Sequence, residues 1–81
     1  MIVNIEGKEY EFYVGDIIVT NTGRHLLIVD ATDYSLKDCE TLPVKYLLID
    51  IKHGTLFGYE EEFWDIPENY NIVNILSNDN L

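Results

Sequence analysis

Three stretches of this chain hold residue types that carry chemistry in other proteins. "KDCET" contains the single cysteine, Cys39. Nucleophilic use of a thiol needs a base within reach and a lowered thiol pKa, but the flanking acids act the other way. His25 opens an apolar run and His53 sits in a turn-like "KHG", so both read as ordinary polar residues at strand ends. "DATDYSLKDCE" gathers Asp30, Asp33, Asp38 and Glu40, the oxygen donors a divalent cation takes. The EF-hand spacing and its glycine are absent, and a solvated loop is the competing reading. Carboxylate pairs, which a glycosidase needs at a set separation, arise by chance among fifteen acids in 81 residues. The expectation is a protein that is not an enzyme, with no cofactor and no metal.

The third stretch is "GYEEEFWDIPENY", residues 58–70. Glu60, Glu61, Glu62, Asp65 and Glu68 surround Phe63 and Trp64, and no lysine or arginine follows Lys52. Glu9 and Glu11 lie on one face of an earlier strand pattern, about 6.6 Å apart, close to the interval between neighbouring phosphates. Such a row would attract a protein with a basic surface. Trp64 or Tyr70, if exposed among the acids, would supply aromatic anchors of the kind found at binding hot spots. The candidate partner-binding residues are therefore Glu9, Glu11, Glu60, Glu61, Glu62, Trp64, Asp65, Glu68 and Tyr70. The competing reading makes Phe63 and Trp64 core plugs whose acidic neighbours only keep the outer face wet. It is the preferred one for Trp64.

Composition bounds these readings. The chain suits one small domain, residues 1–81, with 77–81 as a flexible tail. A 47% apolar fraction and six tyrosines supply a core. One cysteine cannot form an internal disulfide. The formal charge of −10 repels nucleic acid, whose binding rests on lysine and arginine contacts to phosphate. Direct nucleic-acid binding is disfavoured. "MIVNIEGKEY" lacks the basic region and apolar core of a signal peptide, and no apolar run approaches the roughly 18 residues of a membrane span. No membrane association is expected. Abundant isoleucine and asparagine, one alanine, one arginine and no glutamine fit AT-rich coding, so the expected setting is the cytoplasm of a low-GC bacterial host.

The elements that must position these residues are β nearly throughout. "IVNI" and "KEYEFYV" flank "EG" as a hairpin joining residues 2–5 to 8–13, with Tyr10 and Phe12 on the core face. A strand follows at 16–20. "NTGR" is a turn in which Gly23 takes a positive φ, and it leads into "HLLIVDA", a run of the kind buried on both faces. Residues 32–43 read as a loop. "VKYLLIDI", a "KHG" turn, "TLFGY" and "YNIVNIL" complete the set. The one helical candidate is a short turn at about residues 60–66, in which Tyr59, Phe63 and Ile66 share a face and Pro67 ends the helix.

The order "VGDIIVTNTGRHLLIVDA", "KYLLIDIKHGTLFGY", short turn and closing strand resembles a small SH3-like barrel. It is similar to short SH3-like proteins of phages and prophages of Gram-positive bacteria, over roughly residues 12–76. "IPENY" at 66–70 is similar to the segment before the last strand of peptide-binding SH3 domains. Their companion motifs are missing, so no groove for proline-rich peptides is implied. The expected fold is mainly β: a small antiparallel barrel of five to six strands with an N-terminal hairpin and one helical turn.

Three functions remain open. The first is a non-catalytic acidic interaction protein, encoded by a phage or mobile element, that binds and inhibits a basic nucleic-acid-binding host protein such as a CRISPR nuclease by mimicking nucleic acid. The second is a structural or adaptor barrel acting through protein–protein association, including homodimerisation. The third is a divalent-cation or small-ligand binder using residues 30–40.

Overall fold

A computed structural model describes residues 2–31 and 45–77. Strands β1 (Ile2–Ile5) and β2 (Lys8–Glu11) form a two-stranded antiparallel sheet. Its two-residue loop has φ 52° at Glu6 and 81° at Gly7, the doubly positive pattern whose twist matches a hairpin. The Gly7 N–H donates to Asn4 Oδ1 at 3.0 Å. Register pairs Val3 with Tyr10 and Ile2 with Glu11, so Val3 and Tyr10 share the core-facing side expected of Tyr10.

Five further strands form the second sheet: β3 (Ile17–Thr20), β4 (His25–Asp30), β5 (Tyr46–Asp50), β6 (Thr55–Glu60) and β7 (Ile72–Leu76). The order across the sheet is β6-β5-β4-β3-β7, every neighbour antiparallel. The last strand therefore returns to lie beside the first of the five. β6 and β7 remain unpaired edges, and no closed barrel is found among the described residues. The SH3-like resemblance implies a barrel, whereas strand number and spacing fit a sandwich or a barrel. Closure needs hydrogen bonds between the outermost strands, and strand patterns do not encode that pairing.

The core lies against one face of this sheet. Ile18, Leu26 and Asp50 fall in one cross-strand row, and Ile28, Leu48 and Gly58 in the next. Phe12, Ile18, Leu26, Ile28, Leu48 and Ile66 are fully buried, ringed by Val3, Tyr46, Phe63, Tyr70, Ile72 and Ile75. Each such side chain contributes roughly 1.5–3 kcal/mol by leaving water. In β4 only Leu26 and Ile28 are fully buried, while Leu27 and Val29 on the opposite face are half-buried. The run expected to be buried on both faces is thus unequally covered.

The helical turn departs most from expectation. β6 continues through Glu60, whose partner is Tyr46, and the helix α1 is Asp65–Asn69, not 60–66. Pro67 lies inside α1 instead of ending it. In the first helical turn a backbone N–H has no intrahelical acceptor, so proline is tolerated there. The stripe of Tyr59, Phe63 and Ile66 dissolves accordingly: Tyr59 is an exposed strand residue, Phe63 is half-buried and only Ile66 is fully buried.

α1 is followed by Tyr70, whose ring crosses β6 where that strand has Gly58. A β-carbon on Gly58 would collide with the Tyr70 hydroxyl, which explains a glycine in the middle of a strand. Gly58→Ala is expected to destabilise the fold by about 1–3 kcal/mol. Adding Tyr70→Phe removes the nearest atom and should recover part of that loss. Denaturant unfolding of the two single variants and the double variant measures the coupling directly.

Candidate functional site

The acidic stretch begins where β6 ends. The Glu60 carboxylate accepts a hydrogen bond from Asn69 Nδ2 at 2.9 Å, tying the strand end to α1. Two backbone bonds, Asp65 N–H to Glu62 O and Ile66 N–H to Phe63 O, both 3.2 Å, wind the chain into the helix. Phe63 turns inward. Its ring stacks on Phe12 at a centroid distance of 5.1 Å and meets Tyr46 edge-on at 5.2 Å, an arrangement that adds to plain burial.

With Phe63 committed to the core, its neighbour points out: Trp64 is 58% exposed. The core-plug reading holds for Phe63 and is overturned for Trp64. In the same stretch, Glu61 and Glu68 are exposed, while Glu62 and Asp65 are half-buried. Glu62 lies 3.6 Å from Lys45, a surface ion pair of small energetic consequence. Asp65 and Glu68 occupy the first turn of α1, where the helix dipole favours negative charge.

Glu9 and Glu11 stand elsewhere, exposed on the outer face of the β1–β2 hairpin. Glu11 accepts a 2.6 Å bond from the Tyr13 hydroxyl. That bond, followed by the negative charge of Glu11, raises the pKa of Tyr13. Among the described residues no hydrogen bond or ion pair joins these acids to the 60–68 group. The link between the two regions is the Phe12–Phe63 stack. Tyr70 is half-buried, its ring 6.2 Å from that of Phe57, and burial followed by the charge of Glu60 raises its pKa. Packing occupies Tyr70, and Trp64 is the exposed aromatic residue of the acidic stretch.

A second cluster, which the sequence reading passed over, sits at the other end of the sheet. Asp50 closes β5 on the core side and is 1% exposed. Its Oδ2 accepts from Arg24 Nη1 at 2.9 Å and contacts His53 Nδ1 at 3.1 Å. Its Oδ1 accepts the backbone N–H groups of Lys52 at 3.0 Å and His53 at 3.2 Å. Burial pushes the Asp50 pKa up, but the bonds from His53 and Arg24 and from the two backbone amides outweigh it, and the carboxyl is held below its ordinary value. Arg24 also stacks on Phe57, 4.6 Å from the ring centroid. Phe57 is the extra residue of a bulge, since Leu48 pairs with Gly58 and Ile49 with Leu56. His25, by contrast, only places Nδ1 3.2 Å from Gly23 O. The sequence signals were present: the chain's single arginine, and an aspartate ending an apolar strand.

Among the described residues, no group of three or more His, Cys, Asp or Glu side chains is placed to hold a metal, and no helix is long and apolar enough to cross a membrane. Cys39, Asp33, Asp38 and Glu40 lie outside the described residues, as do most of the 30–40 stretch and residues 78–81. No protein-family model, curated protein or solved structure matches this chain.

The Asp50 cluster makes a pH prediction. A carboxyl with a depressed folded-state pKa adds stability that is complete above its unfolded value, about 3.9, and fades as pH falls through the folded one. Asp50→Asn should therefore lower Tm at about pH 5 and above. Below about pH 4 the gap from the native protein should narrow. Thermal unfolding followed by circular dichroism across this range measures it.

Proposed function

We propose that this protein is a non-catalytic interaction module whose acidic surface around Trp64 docks on the basic, nucleic-acid-binding surface of another protein and blocks it. One observation carries the reading: an exposed indole in a stretch whose sequence neighbours include Glu61, Glu62, Asp65 and Glu68. Exposing tryptophan to water forgoes the burial it would gain in a core, and tryptophan is the residue type most enriched at binding hot spots. The surrounding carboxylates, within a chain of net charge −10, would draw in a positive partner and speed its approach. Glu9 and Glu11, exposed on the hairpin, add negative charge away from this stretch.

The fold fits this role as a scaffold. Five strands in which the last returns beside the first, with a short helix before the last, support an SH3-like barrel opened between β6 and β7. A phage or mobile-element protein acting on a host enzyme, a CRISPR nuclease for instance, is the setting in which such mimicry is most useful.

A second reading has its own observation. Among the described residues β6 is a sheet edge, and it carries exposed Leu56, Phe57 and Tyr59; such an edge can pair with a second copy or another chain.

One experiment separates the two. Native protein and a Glu61→Lys, Glu68→Lys variant serve as baits for a lysate of a low-GC bacterium at low and moderate salt. Both substituted residues are exposed, so the variant is expected to fold. The docking reading expects a basic nucleic-acid-binding protein retained by native bait, lost with the variant and released by DNA. Equal captures by both baits, together with a salt-insensitive dimer in sedimentation, would reject it in favour of self-association.

A further inference from the structure

The two ends of β5 differ in charge. Tyr46 faces the end where Glu60 and Glu62 lie, while Asp50, roughly 13 Å away along the strand, faces two turns that carry cations. These are the β3–β4 turn with Thr22, Gly23 and Arg24, and the β5–β6 turn with Lys52 and His53. Between them is a cleft of about 330 Å³ lined by those five residues and Asp50.

The negative charge in this cleft is already answered. Both Asp50 oxygens are occupied, one by Arg24 and His53 and the other by two backbone amides. Among the described residues, the remaining guanidinium N–H groups of Arg24 have no hydrogen-bond acceptor, since one nitrogen makes the ion pair and 44% of the side chain is exposed. The Lys52 ammonium is exposed, and among the described residues it has no side-chain partner. Lys8, by contrast, sits over Tyr10 and Lys45 lies beside Glu62. The Thr22 hydroxyl, 2.9 Å from that of Thr20, adds a polar group on the same wall. In a strongly acidic chain this is a local concentration of donors with a deficit of acceptors.

We propose that this cleft binds the phosphate group of a small-molecule ligand. Arg24 presents a planar fork suited to a phosphate oxygen pair, and Lys52 contributes a mobile point charge. Donors approaching from two different turns match a tetrahedral group better than a flat carboxylate. A second cleft of about 190 Å³ adjoins the first through Thr22 and is lined by Phe57, Tyr70, Asn21, Asn69 and Asn71. The aromatic and asparagine residues that line it adjoin the phosphate position, beside which the planar ring of a phosphate ester would sit. The site is separate from the acidic surface around Trp64, and its fate does not depend on that surface.

The test is a ¹⁵N–¹H correlation titration of the whole chain at constant ionic strength. The probes are inorganic phosphate, adenosine 5′-monophosphate, and adenosine as the uncharged control. Saturable shifts should be confined to the amides of residues 22–24 and 52–54 with both phosphate probes, with a Kd on the order of 1 mM. Lys52→Gln removes one charge that no side-chain contact among the described residues uses, and should weaken phosphate binding by about tenfold. Tighter binding of the monophosphate, with further shifts at Phe57 and Asn71, would identify a ring-bearing ligand. Equal binding of both phosphates would identify the phosphate group alone. Either result upholds the site. Absence of saturable shifts, shifts indifferent to Lys52→Gln, or adenosine binding as well as its monophosphate would overturn it.

Discussion

The buried carboxylate of Asp50 is the constraint around which one end of the molecule is organised. A charge taken out of water without partners is strongly disfavoured, so its position obliges donors to converge on it. Three residues supply them: Arg24, 26 positions earlier in the chain, and the adjacent Lys52 and His53. The Leu26–Asp50 pairing aims the carboxylate at the core face, and the β5–β6 turn folds its own amides back onto it. Two turns from different hairpins are thereby locked side by side, and Arg24 is set where Phe57 can stack on it. The cleft at this end is a consequence of that lock.

The opposite end is organised by aromatic packing. Phe63 fills the space between Phe12 and Tyr46, which joins the N-terminal hairpin to the five-stranded sheet. Adjacent side chains in this turn cannot both point inward, so burial of Phe63 exposes Trp64. The acids then follow their own local rules. Glu60 is drawn to Asn69, Glu62 to Lys45, and Asp65 and Glu68 favour the start of α1. One end of the sheet thus carries an acidic stretch with an exposed indole, and the other shows cations around a saturated carboxylate.

The strands and turns were legible in the sequence because their signals are local. Alternation in "KEYEF" and glycines 7, 23 and 54, all at positive φ, mark elements that need no distant partner to be recognised. The helix was misplaced because a run of glutamates suits a helix start as well as a strand end. The pairing of Glu60 with Tyr46 decided for the strand. Pro67 looked like a terminator, yet in a first turn it costs no hydrogen bond. Adjacency of Phe63 and Trp64 required one in and one out, but the choice depended on Phe12, fifty-one positions away. Of the Asp50 cluster only the separate members were legible, the single arginine and an aspartate ending an apolar strand, because the Leu26–Asp50 register that brings them together is not written in either strand alone.

The exposed indole within a negative surface is the central claim, and quenching of the chain's single tryptophan by ions of opposite charge tests it without any partner. Trp64 fluorescence is titrated with caesium and with iodide at matched ionic strength, each quenching constant being scaled to that of free N-acetyltryptophanamide. The account predicts ready quenching by caesium and clearly weaker scaled quenching by iodide, a contrast that shrinks as salt is raised. Resistance to both ions would mean a buried Trp64, and equal or stronger iodide quenching would mean that the acids do not surround it; either result would contradict the account.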